Sequence, residues 1–138
     1  MSGAPVLDAH AVMAYLGREE GFERVKAHLH RAAVQDRPLR ISAVNWGEVR
    51  YKVAAKGGDA AETLARLDTL ARLARLPIEV VEADRVAAEA AADLKARYGL
   101  PYADCFAAAL AAASKTAVLT GDPHFKAVEE AVKVEWLR

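Results

Sequence analysis

Ala117-Val118-Leu119-Thr120-Gly121-Asp122-Pro123 is a short apolar run that stops at a glycine, a carboxylate and a proline. The run is too short for a helix, and it predicts a buried strand over Ala117–Thr120 that ends on Asp122. Pro5-Val6-Leu7-Asp8 has the same form, a strand Val6-Leu7 closing on an acid. Between and beyond them lie Leu39–Ser42, Ile78–Val81 behind Pro77, and Val132–Trp136. Helical patterns fill the gaps: His10–Gly17, about Glu20–Ala33, about Val44–Ala55, and a helix from an Asp59 cap to about Arg75. In this last one Leu64, Leu67, Leu70, Leu73 and Leu76 are spaced for one face. Asp84 starts a helix to Tyr98 that ends on Gly99. Pro101 opens another, to about Ser114, where its missing N–H costs nothing. A short helix is expected near Phe125–Ala131. Short strands separated by helices predict the α/β class, with a central, mostly parallel sheet of about five strands flanked by helices. Ligands of such sheets bind outside the carboxyl ends of the strands, at the switch point, where Asp8 and Asp122 are expected.

The 138 residues suffice for one core-forming domain, expected to span 1–138. Gly57-Gly58-Asp59 is the most obvious internal break. The formal net charge is +0, so no overall basic field marks a nucleic-acid binder, though a local patch would suffice. Cys105 is the one cysteine, which leaves no disulfide framework and no thiolate metal site. It reads as a small buried hydrophobe. The longest apolar run, Cys105 to Ala113, falls well short of the roughly 18 residues of a membrane span, and the N-terminus lacks a signal-peptide pattern. A cytoplasmic protein without membrane contact is expected.

Four acids stand where secondary structure changes: Asp8, Glu48, Asp104 and Asp122. Each has a structural explanation. Asp8 can cap a helix, Asp104 can complement a helix dipole, Asp122 can initiate a turn, and Glu48 can face solvent. Asp59 and Asp84 show how common such caps are. The joint pattern is more informative. Asp104 has no Lys or Arg at the i+3 or i+4 spacing, and near Asp8 and Asp122 the only Lys or Arg within four positions is Lys126. Carboxylates gathered without cations repel, and must protonate or bind metal. Oxygen ligands without sulfur select Mg²⁺ or Mn²⁺ over zinc. The implied chemistry is metal-dependent phosphodiester hydrolysis.

Leu7-Asp8-Ala9-His10-Ala11, Ala43-Val44-Asn45-Trp46-Gly47-Glu48-Val49, Leu100-Pro101-Tyr102-Ala103-Asp104-Cys105-Phe106 and Leu119-Thr120-Gly121-Asp122-Pro123-His124-Phe125 resemble, in order and spacing, the four signature blocks of PIN domains. The likeness is to the compact members called VapC toxins and spans nearly the whole chain. It implies a three-layer PIN-like fold and a Mg²⁺- or Mn²⁺-dependent endoribonuclease, the toxin of a type II toxin–antitoxin pair. It implies a homodimer, and a cognate antitoxin whose tail lies across the cleft. Asp8 and Asp104 are expected to ligate the metal, with Asp122 and Glu48 completing the site directly or through water. Glu48 or Asp122 would orient or deprotonate the attacking water. His10, Asn45 and Thr120 are candidates for support of the site or for substrate contact. His10 departs from the Ser, Thr or Asn common in the family two residues after the first Asp.

RNA contacts are sought among Arg18, Arg40, Arg50, Lys52, Lys56, Lys115 and Lys126, and base stacking at Trp46 or Tyr102, for which core packing is the plainer reading. The histidines lack zinc spacing; His28 and His30 fall on different sides of a helix, and His124 reads as a turn residue. The alanine-rich stretches Val86–Ala92 and Phe106–Ala113 suit internal packing first and a dimer seam second. An alternative to the nuclease is a catalytically silent PIN-like module that binds RNA or protein, which loss of an acid would favour. A phosphatase would want an Asp where His10 stands. A phosphoacceptor receiver would want an Asp where the third strand ends on Glu82.

Overall fold

The computed structural model describes residues 3–54 and 59–138. Lys56, Gly57, Gly58 and the expected helix end at Ala55 lie outside them. Five strands form one sheet: β1 (Val6–Leu7), β2 (Leu39–Ser42), β3 (Ile78–Val81), β4 (Val118–Thr120) and β5 (Val134–Trp136). Their order is β3-β2-β1-β4-β5, and each neighbouring pair runs parallel. The chain steps from β1 outward to β3, returns to lay β4 beside β1, and continues to β5. The switch point is therefore the β1–β4 crevice.

Successive residues of a strand point to opposite faces, and the two central strands feed two cores in this way. Leu7 and Leu119 pack beneath α1 (Ala9–Leu16), α2 (Phe22–Gln35) and α3 (Ala43–Ala54). Val6 and Val118 pack beneath α5 (Arg85–Tyr98) and α6 (Tyr102–Ala113). Helix α6 is small and apolar nearly all round, and Cys105 to Ala109 are buried together. It therefore lies flush on the sheet and carries Asp104 to the strand ends. The α/β, three-layer expectation holds, with the sheet wholly parallel. Among the described residues no helix is long and apolar enough to cross a membrane.

Local signals held where the side chain itself makes the bond. Asp59 caps α4 (Ala60–Ala74) through the Glu62 N–H, and Asp84 caps α5 through the Ala87 N–H. Gly99 takes the left-handed conformation, φ +79°, that ends α5. Three expectations need correction. Pro101 is the cap of α6 and not its first residue, because its backbone is extended (ψ 141°). The segment expected as a helix near Phe125–Ala131 is a tight 3₁₀ helix, Pro123–Val128, started by the Asp122 side chain. The leucine stripe of α4 does not bury as one face: Leu73 is 1% exposed but Leu64 and Leu67 are 67% and 58% exposed. A spacing of three slips about 60° per step on a helix of 3.6 residues per turn, so Leu64 and Leu73 lie on opposite sides.

Candidate metal centre

Asp8 follows β1 in extended conformation (φ −101°, ψ 178°), and its Oδ1 accepts the Ala11 N–H at 2.8 Å as the cap of α1. Its other oxygen accepts the Thr120 hydroxyl at 2.5 Å. The same hydroxyl oxygen accepts the Asp122 N–H at 3.0 Å. The carboxyl ends of β1 and β4 are thus joined through one buried threonine. Asp122 Oδ1 in turn accepts the His124 N–H at 2.9 Å and fixes the turn after β4.

The helices bring the other two acids. Asp104 stands in the first turn of α6. Glu48 sits on α3, held by Asn45, whose Nδ2 donates to Glu48 Oε1 and to the Ala103 carbonyl, both at 3.0 Å. Asn45 is completely buried, and this fork ties α3 to the start of α6. Its own Oδ1 is buried with no hydrogen-bond partner among the described residues.

Burial and mutual repulsion act on this group. Burial raises the Asp8 carboxyl to about 7, with the charges of Asp104 and Asp122 adding to the rise; the Thr120 and Ala11 hydrogen bonds oppose it. Burial also lifts Asp104 to about 6, helped by the charges of Asp122 and Glu48 and opposed by His124 and Lys52. The four predicted acids therefore share one electrostatic site. The sequence had implied a site without basic partners, but Lys52 and an imidazole stand near these acids. His124 Nδ1 lies 3.0 Å from Asp122 Oδ1 and 3.7 Å from Asp104 Oδ2, so it is more than a turn residue. Ligand atoms of Asp104, Asp122 and His124 lie within 4.8 Å of one another, a spread that a single ion could bridge. The sequence carried no signal for this approach beyond the place of His124 two residues after an acid at a strand end.

Thr120 and Asn45 thus contact the acids directly. His10 does not: its Nδ1 accepts the Gly121 N–H at 3.3 Å, and the described residues show no hydrogen bond from it to a carboxylate. Gly121 admits the imidazole because a Cβ there would stand 2.5 Å from His10 Cε1. Of the basic candidates, Lys52 is felt by Asp104. Arg40 is bound to Ser114 Oγ at 2.6 Å, and Arg18 lies over the Phe22 ring. Trp46 packs against the α1–α3 core, and Tyr102 packs edge-on to Phe106. Cys105 is buried, and burial pushes its thiol up.

A parallel α/β sheet with carboxylates collected at its switch point defines an acidic-centre domain. The sequence model of the PIN domain matches residues 6–131, and this chain belongs to that family. No curated protein is significantly similar to it in sequence. Its fold is similar to VapBC2 from Rickettsia felis, solved bound to a DNA fragment from their promoter (15% identity, 95% of this chain and 96% of that chain, TM-score 0.68). It is also similar to DNA-bound VapBC from Salmonella typhimurium (16% identity, 100% of each chain, TM-score 0.70). A third likeness is to VapBC-5 of Mycobacterium tuberculosis, a member of the VapBC family of toxin–antitoxin systems (28% identity, 72% of this chain and 81% of that chain, TM-score 0.56).

Proposed function

We propose that this chain is a Mg²⁺- or Mn²⁺-dependent endoribonuclease, the toxin of a toxin–antitoxin pair, acting as a single domain over 1–138. The observation that carries the reading is the convergence of the acids at the switch point: Thr120 ties Asp8 to the Asp122 turn, and ligand atoms of Asp104, Asp122 and His124 lie within 4.8 Å of one another. A fold that needed only helix caps there would not crowd acids against one another. The carboxylate oxygens of Asp104 and Asp122 suit a hard divalent ion, and no sulfur stands among the possible ligands. Similarity to VapBC complexes supports an antitoxin partner. A homodimer belongs to the same reading.

Asp8 and Asp104 would hold the ion, with Asp122 and Glu48 completing its surroundings. Such an ion, when bound, activates water and neutralises charge on phosphate oxygens. Thr120 aims Asp8 by donating to Oδ2 and favours its ionised form against the opposing effect of burial. Asn45 holds Glu48 by Oε1, which leaves Oε2 to orient the attacking water and take its proton. In-line attack on phosphorus then breaks the bond to the 3′ oxygen, leaving a 5′-phosphate and a 3′-hydroxyl. Lys52 stands on the Asp104 side, where it can meet a neighbouring phosphate.

The cellular test is induced expression of the wild-type chain and of Asp8→Asn in a bacterium lacking the antitoxin. Growth arrest with RNA fragmentation is expected from the wild type alone. Equal growth, or equal arrest, of the two strains would remove the toxin reading. The silent binding module keeps no specific support, since none of the four acids is missing.

A further inference from the structure

Beside the carboxylates, a cleft of about 320 Å³ opens between α1 and the end of the chain. That volume is at the lower end of the roughly 300–1,000 Å³ of small-molecule sites. Met13 and Leu137 give it an apolar floor; His10, Glu19, Glu20 and Arg138 supply the polar groups. Its inner wall is Gly121, which lies between Thr120 and Asp122. The Gly121 N–H donates to His10 Nδ1 at 3.3 Å, and its carbonyl accepts Arg138 Nη2 at 3.3 Å. With Nδ1 engaged as an acceptor, a neutral His10 carries its proton on Nε2 and presents a donor.

Two carboxylates against one guanidinium make this a poor pocket for a phosphate. They suit a base that offers N–H groups. Guanine offers two adjacent donors, N1–H and N2–H₂, on one edge, and the acceptors O6 and N7 on the next. A carboxylate can take the first pair, and Arg138 or the His10 Nε2–H the second. An imidazole face and an apolar floor favour stacking of an unpaired base. Uracil and cytosine lack the paired donors, and adenine lacks O6.

We infer that this cleft is a guanine subsite: it holds the base of an unpaired nucleotide next to the phosphate cut at Asp8, Asp104 and Asp122. His10 and Glu19 are thereby residues of substrate choice, with Glu20 as a second acceptor. The placement next to the cut rests on the ribonuclease reading above.

The test has two arms. In the first, a randomised single-stranded RNA pool is cut with Mg²⁺ by the wild type, by Glu19→Gln with Glu20→Gln, and by His10→Ala, and the new ends are sequenced. Guanine should be enriched at one fixed position beside the cut in the wild type. That enrichment should fall roughly tenfold in the carboxylate variant. In the second arm, guanosine, adenosine, cytidine and uridine are titrated into metal-free wild-type protein while the amide resonance of Gly121 is followed by NMR. Guanosine alone should shift it at millimolar concentration. Cleavage without guanine preference, or with preference unchanged in the variants, overturns the subsite and leaves the nuclease intact. If no RNA is cut, the nuclease reading fails and the nucleoside titration decides the subsite by itself.

Discussion

The Thr120 hydroxyl donates to the Asp8 carboxylate at 2.5 Å, although 112 residues separate them in the chain. The bond exists because β1 and β4 are parallel neighbours in register, Leu7 beside Leu119, so that the residues just beyond each pair end at the same height. Thr120 serves both strands, since its oxygen also receives the Asp122 amide.

Thr120→Val keeps the shape and removes both bonds. The part-buried Asp122 N–H and the buried Asp8 Oδ2 then lack partners, which costs about 1–3 kcal/mol. Denaturant unfolding at pH 8 should show that loss. Calorimetric titration with Mn²⁺ should show metal affinity weakened roughly 10–100-fold. Unchanged affinity would mean that Asp8 needs no support from Thr120.

The raised carboxyls set a pH dependence for metal-free protein. Asp8 rises from 3.8 to about 7 and Asp104 from 3.8 to about 6. The folded state therefore binds more protons than the unfolded state between those limits, and stability falls as pH rises through the window. Full stability from this source is present below pH 4 and lost above about pH 7. Thermal unfolding in EDTA should show a lower Tm at pH 8 than at pH 5.5, and Mg²⁺ should restore more at pH 8. A Tm that rises with pH across this range would contradict the buried-acid account.

Asp104→Asn follows from the same repulsion. It removes one of the charges that raise Asp8 and should raise the metal-free Tm at pH 8 while abolishing RNA cleavage. Mutation of a merely structural cap would lower stability instead.

Asn45→Ala releases Glu48 and leaves the Ala103 carbonyl without its donor, at a cost of about 1–3 kcal/mol. Asn45→Asp should be worse, because a third acid would face Glu48 and Asp104 in a buried position. Cleavage rate and urea midpoint should both fall in the order wild type, Ala, Asp.

Much of this arrangement was legible in the chain, and the limits have physical causes. The strands Leu39–Ser42 and Ile78–Val81 were read to the residue because each is a short stretch, apolar at alternate or β-branched positions, that starts directly after a proline. Asp8, Asp104 and Asp122 could be grouped because each stood at a junction between elements, whereas Glu48 lies inside α3 and joined them through the motif it belongs to. The approach of His124 to Asp104 was not legible, for it depends on how a six-residue 3₁₀ helix after β4 meets the first turn of α6. Nor was the fate of His10, which is decided by the open space over Gly121. The α4 leucines show a different limit: periodicity gives an apolar residue, and packing decides which one is covered. Leu73→Ala should accordingly cost about 2–5 kcal/mol. Leu64→Ala should change stability by no more than about 0.5 kcal/mol.

The most direct measurement is cleavage of total RNA by purified, antitoxin-free protein with Mg²⁺ or Mn²⁺, beside EDTA and Asp8→Asn controls, with end-group analysis of the fragments. A metal-dependent nuclease yields discrete fragments bearing 5′-phosphates that vanish in both controls. Absence of cleavage by metal-replete protein, or cleavage that persists in EDTA, would contradict this reading.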